Sequence, residues 1–143
     1  MRAECRKDDF IMKKIFICSP FRGDIEANTA KVKFYAMVLA KSGSIPIAPH
    51  LYFPQFLDEN SQNERMTGIE MGVELMNECD EVRVYGFNIT EGMKFELDHA
   101  REKKIPVRLC DEEMNFVNIR TLPVDDRATK EYRRAIEGLR LIK

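Results

Sequence analysis

The sequence predicts an α/β protein of the doubly wound class, with a mainly parallel sheet of four or five strands, flavodoxin- or Rossmann-like, and helices on both faces. Short runs rich in β-branched and aromatic residues, KKIFICS (13–19), SIPIAP (44–49), EVRVYGF (81–87) and IPVRLC (105–110), alternate with segments whose apolar residues recur at helical spacing. Parallel strands need crossover connections, and this alternation supplies them. A chain of 143 residues fits one such core without a second domain.

Residues 1–11 have no apolar period and precede the first strand, so they read as an N-terminal extension that is mobile or docked outside the sheet, leaving 12–143 as a single domain. A helix follows over 24–41, with Asp24 as its cap, Gly43 after its end, and Ala30, Phe34, Met37 and Val38 as its inner face. Ser61 and Glu64 form an S-x-x-E capping box for a helix over 62–78, where Met66, Ile69, Val73 and Met76 carry the stripe. Gly68 and Gly72 lie four apart on that helix, a spacing that suits close packing better than ligand space. Thr90 caps the third helix, with Met93, Leu97 and Ala100 as its apolar side. Beyond Cys110, NFVNIRT is a candidate fifth strand, and Ala128, Tyr132, Ala135 and Leu139 predict a final helix over 126–139.

Composition narrows the function. The 23 basic and 24 acidic residues nearly cancel without a long run of one sign, which argues against nucleic acid as a partner and favours a small molecule or a protein. The polar start and the absence of a long apolar run imply neither a signal peptide nor a membrane span, so the expected location is cytoplasmic. Four scattered cysteines without a CxxC pair, and only two histidines, imply no metal site; Cys18 and Cys110 read as core residues. Neither GxGxxG nor GxxxxGK[ST] occurs, and no cofactor is implied.

Ligands of such sheets bind beyond the C-terminal ends of the strands. The first loop, CSPFRGD, brings Ser19, Arg22 and Gly23 there; the second, HLYFPQFLDEN, brings His50, Tyr52 and Phe53, able to wall a flat ring; the third, GFNITEGM, leads into the helix of Glu96. The Thr90 hydroxyl and the free N–H groups behind it suit an anion, and Arg22 suits a bidentate phosphate contact. Glu96 follows roughly 9 Å along the axis, about the reach of a sugar phosphate. A carboxylate beside an apolar stripe needs either a buried partner or a pocket, and the neighbouring sequence offers no partner.

These residues resemble the nucleoside 2-deoxyribosyltransferase-like superfamily, which includes the 2'-deoxynucleoside 5'-phosphate N-hydrolases. The likeness runs from Lys13 to Cys110 and is nearest to a phage and bacterial branch of unassigned function. Thr90-x-Gly92-x-x-x-Glu96-Leu97-x-x-Ala100 looks like the helix bearing the family's nucleophilic glutamate, which gives Glu96 that role. Asp80-Glu81-Val82 is similar to the family's entry into the preceding strand, and Arg22 matches the phosphate-binding arginine of the nucleotide hydrolases. Thr90 stands where those hydrolases carry a phosphate-binding serine and the transferases an aspartate. Gly72 stands where the family carries an aspartate on the helix before Asp80, flanked by Glu70 and Glu74.

The resemblance implies an N-glycosidase-type enzyme that cleaves or exchanges the base of a nucleotide or nucleotide-derived molecule. Glu96 would be the nucleophile, and Ser19, Arg22, Gly23, Thr90 and Gly92 the substrate and phosphate site; residue type and loop position alone assign His50, Tyr52 and Phe53 to the base stack. The relatives' assembly implies a homo-oligomer. The alternative is a nucleotide-binding or sensing module without catalysis.

Overall fold

A computed structural model describes residues 12–143; the expected extension over residues 1–11 lies outside the described residues. The elements run β1 (Lys14–Cys18), α1 (Ile25–Lys41), β2 (Ile45–Ile47), α2 (Gln62–Met76), β3 (Glu81–Tyr85), α3 (Glu91–Lys103), β4 (Val107–Cys110) and α4 (Lys130–Ile136). All pairings are parallel, in the order β2-β1-β3-β4, with Phe16 opposite Val82 and Ile47, and Val84 opposite Leu109.

Alternation along the strands divides the core in two. Phe16, Cys18, Val82, Val84, Val107 and Leu109 face α2, α3 and α4, where they meet Val73, Met76, Met93, Leu97, Ala100 and Tyr132. Ile15, Ile17, Tyr85 and Cys110 face Val32, Tyr35 and Leu39 of α1. Helices therefore cover both faces, but α1 alone covers the second. Where it does not reach, the buried Glu81 carboxylate accepts from Nε of Arg83 and of Arg108, and Phe116 stacks over both guanidinium groups.

Caps fix the helix starts. Asp24 accepts from the Ala27 N–H at 3.1 Å, Ser61 from Glu64 at 3.3 Å and Thr90 from Met93 at 3.2 Å. The expected capping box is only half made, because the Glu64 carboxylate accepts from the Asp58 N–H instead. Gly43 ends α1 with φ +92, as its place after the helix requires.

Three expectations are corrected. The inner face of α1 is not Ala30, Phe34, Met37 and Val38: Phe34 is 54% and Met37 42% exposed, while Val32, Tyr35 and Leu39 are buried. Apolar residues ring this helix, so periodicity leaves two stripes open. The choice falls to tertiary contacts, since the Tyr35 ring stacks on Tyr85 at 4.1 Å and its hydroxyl donates to the Glu112 carbonyl at 2.8 Å.

NFVNIRT forms no fifth strand. It makes a single antiparallel bridge, Phe116 to Cys110, because the Asp111 carboxylate accepts from the N–H groups of Glu113 and Asn115, both at 2.9 Å, and turns the chain as β4 ends. The final helix is shorter than predicted. Asp125 holds the N–H and guanidinium of Arg127 in a turn ahead of Thr129, the true cap, and the left-handed Gly138 follows its end.

The rotation of α1 has a direct test. Leu39→Ala should lower stability by about 2–4 kcal/mol through the cavity it leaves, whereas Phe34→Ala should change it by less than about 1 kcal/mol, both read from urea denaturation.

Candidate functional site

β1 leads outward to β2 and β3 leads outward to β4, so the connections after the two central strands part from each other at the C-terminal edge. That divergence opens a crevice at the switch point of the sheet. A cavity of about 410 Å³ lies there, walled by the loop after β1, the turns Pro49–Leu51 and Phe53–Gln55, one face of α2 and the start of α3. Its size is that of a small-ligand pocket.

The structure brings seven of the nine expected residues to this cavity: Arg22, Gly23, His50, Phe53, Thr90, Gly92 and Glu96. Gly23 has φ +103, a conformation that suits glycine and turns the chain just after Arg22. Gly92 leaves the first turn of α3 open, since a Cβ there would touch nothing within 4 Å. Ser19 and Tyr52 fall elsewhere. The Ser19 hydroxyl is buried beside Tyr35 and Tyr85 under the α1 side of the loop, and the Tyr52 ring is 59% exposed, edge-on to Phe53 and Phe56 at 5.1 and 5.0 Å.

Glu96 is the one buried acid among the residues that line the cavity. The apolar side of α3 seats Met93, Leu97 and Ala100 against the sheet, and the same rotation carries Glu96, 6% exposed, to the cavity floor above Cys18. Burial pushes its carboxyl up to about 8, and a hydrogen bond with the Cys18 side chain pulls it back only in part. Oε1 has no hydrogen-bond partner among the described residues. The Cys18 thiol is itself pushed up by burial and by Glu96. It is a core side chain against the carboxylate, as the sequence leads one to expect.

His50 stacks on Phe21 with centroids 4.7 Å apart and planes 15° from parallel. Burial lowers its pKa to about 4, with a hydrogen bond to the Ser19 backbone working in the opposite direction, so the imidazole is neutral at neutral pH. The ring pair forms a flat apolar wall beside the Arg22 loop.

Sequence reasoning missed Glu59 and Arg65, which line the same cavity, and of its two readings of the α2 glycines, packing and ligand space, both apply. Arg65, Gly68, Ile69 and Gly72 all reach the cavity, so the helix presents it with two residues that have no side chain. Packing also operates at Gly72, where a Cβ would stand 3.3 Å from Pro49. The legible signal was the i, i+3, i+7 register of Arg65, Gly68 and Gly72 on one face. Glu70 and Glu74, the acids flanking Gly72, are exposed on other faces of α2 and do not line the cavity.

Fold and crevice define a doubly wound α/β domain with a ligand-sized pocket at its switch point. A solved 2-deoxyribosyltransferase from Bacillus psychrosaccharolyticus, described as a biocatalyst for the synthesis of nucleosides, shares this fold with a TM-score of 0.58 at 19% identity, over 87% of this chain and 90% of that one. Residues 13–110 match a family described as a domain of unknown function (DUF7768), and the chain belongs to that family. No curated protein matches the sequence. No helix among the described residues is long and apolar enough to cross a membrane.

The raised pKa of Glu96 gives stability a pH dependence of known sign. Between the ordinary carboxyl value of 4.5 and about 8, the unfolded chain has released this proton and the folded chain still holds it. The folded state binds more protons there, so the Glu96 contribution falls as pH rises through that window. Glu96→Gln should hold or raise the melting temperature at pH 8 and flatten its decline between pH 5 and 8. A large loss of stability at every pH would instead mark Glu96 as a structural residue.

Proposed function

We propose that this protein is an N-glycosidase-type enzyme that cleaves or exchanges the base of a nucleotide, with Glu96 as its nucleophile. The observation that carries the reading is the Glu96 carboxylate: buried where it lines the cavity, and, among the described residues, in no salt bridge and with one oxygen free of any partner. A structural acid at such depth is expected to have a cation. A nucleophile is expected to have a fixed rotamer, and the Cys18 contact and the packed α3 stripe supply it.

In this mechanism a Glu96 oxygen attacks C1' of the sugar as the C1'–N bond breaks through an oxocarbenium-like transition state. The electron pair leaves with the base, which takes a proton from water, and water or a second base then resolves the glycosyl ester. Arg22 and the N-terminus of α3, with Thr90 at its cap, hold the 5'-phosphate. The Thr90 oxygen accepts from Met93, which leaves its hydroxyl hydrogen for the anion. The Phe21–His50 pair and Phe53 flank the ring of the ligand. The likeness to N-hydrolases rather than transferases rests on Thr90, which an anion tolerates and an acid there would not. Exposed Phe34, Met37, Tyr52, Phe56 and Met71 support a homo-oligomer as part of this reading.

Gly72 favours one second reading, a nucleotide-binding or sensing module without catalysis, because no acid stands where the resemblance implies one. Release of free base from a panel of nucleoside 5'-monophosphates, followed by chromatography, separates the two. Base should appear with the wild type and not with Glu96→Gln, and kcat/KM should rise with pH through a limb near 8, where the nucleophile ionises in the free protein. Binding without release would establish the module instead.

Phosphate recognition is tested apart from chemistry. Monophosphates should bind more tightly than the matching nucleosides, with Arg22 contributing about 1.5–3 kcal/mol. In calorimetric titrations Arg22→Ala should remove most of that difference and leave nucleoside binding little changed. Equal wild-type affinities for a nucleoside and its monophosphate would refute the nucleotide reading.

A further inference from the structure

The cavity holds two charged side chains that the mechanism above does not use. Glu59 comes from the loop ahead of α2 and Arg65 from the first turns of α2, and both are half-buried in the cavity wall. They belong to different elements from the Arg22 loop and the Thr90 cap, so one ligand can meet both sets. Between Arg65 and Gly72 the helix lays Gly68 and Gly72 against the cavity. A planar group can therefore lie along this face and reach Arg65 at its end.

Resting on the nucleotide reading, we propose that Glu59 and Arg65 form the base subsite and select guanine. A carboxylate accepts at two oxygens and a guanidinium donates from a two-pronged fork. Guanine presents two adjacent donors, N1–H and the N2 amine, and two adjacent acceptors, O6 and N7; adenine mixes one donor with acceptors, and cytosine has a single amine. Glu59 takes the donor pair and Arg65 the acceptor pair. Hypoxanthine keeps O6, N7 and N1–H and loses half of the Glu59 contact.

The same pairing addresses the missing acid at Gly72. When the Glu96 oxygen bonds to C1' and the C1'–N9 bond breaks, the electron pair spreads over the imidazole ring to N7 and onto O6. The Arg65 fork donates hydrogen bonds to that charge and stabilises it. Water then protonates the departed base. An acid at position 72 is not needed for this, and its Cβ would press on Pro49.

Titrations of the full chain with the 5'-monophosphates of guanosine, inosine, adenosine and cytidine, in ribo and deoxy forms, test the assignment. Guanine nucleotides should bind about tenfold or more tightly than those of adenine and cytosine. Glu59→Gln should remove the preference for guanine over hypoxanthine. Arg65→Met should weaken both 6-oxopurines alike, and Arg65→Lys, which keeps the charge and loses the fork, should do the same in part and serves if Arg65→Met folds poorly. Arg22→Ala should weaken every monophosphate by a common factor and leave the base order intact. Monophosphates that bind through Arg22 with no base order, or with an order that Glu59→Gln leaves unchanged, would overturn the base assignment alone. Failure of any monophosphate to bind would overturn it together with the nucleotide reading.

Discussion

The parallel pairing of β1 with β3 is the constraint on which the rest of the structure depends. These strands are central, their neighbours lie on opposite sides, and the chain must leave their C-terminal ends in two directions. A crevice is the geometric consequence, and the first residues beyond the strand ends become its walls. Phe16 and Cys18 below, Met93 and Leu97 above, lock α3 over β1 and fix the height at which Glu96 meets the cavity. Were β2 and β4 on the same side, Arg22 and Thr90 would not face one space.

Glu96 shows how packing sets chemistry here. The interior next to Cys18 is apolar and lifts the carboxyl to about 8, so the group is mostly protonated at neutral pH. A neutral carboxyl removes the Coulomb penalty that an anion on the floor would impose on an incoming phosphate. His50 is neutral for the same reason, since burial against Phe21 lowers it to about 4. In the proposed function, Arg22 and the amide dipoles of the α3 N-terminus would then be the features that draw an anion inward, and Arg65 lines the same cavity. Burial separates these groups: Arg22 is exposed and Arg65 half-buried where they line the cavity, and the Glu96 carboxyl is buried.

The fold was legible in the sequence where one pattern had one solution. β1, β3 and β4 are apolar-rich runs buried at all but one position each, and α3 has a single apolar stripe, so its register and the placement of Glu96 followed from spacing alone. α1 was not legible in this way. Its apolar residues ring the helix, and the stacking of Tyr35 on Tyr85, a contact across fifty positions of sequence, chooses between two stripes. The segment after β4 failed for a local reason, as Asp111 and Asp125 draw nearby N–H groups into turns where apolar spacing suggested a strand and a longer helix. Loop residues divided likewise. Thr90 is fixed by the helix it caps and Arg22 by the Gly23 turn and the Asn28 amide that donates to its carbonyl, whereas Ser19 and Tyr52 turned aside and Glu59 entered the site from a stretch with no periodicity to place it.

The glycines of α2 connect these observations. A helix interior gains nothing from glycine for its own sake, and each one costs about 1 kcal/mol relative to alanine, so two of them on one face must be offset by what the face allows. At Gly72 the structure gives one offset: Pro49 packs within 3.3 Å of where a Cβ would stand, so the turn after β2 can seat directly on the helix backbone. Gly68 gives another, since a Cβ there would meet Leu57 and Phe53 at 3.5 and 3.7 Å, ordinary contact distances, and steric crowding does not demand glycine. What Gly68 supplies is open surface toward the cavity. Packing therefore accounts for the first glycine and space for the second, and the two together set the width of the wall between α2 and the start of α3 against which a flat ligand would lie.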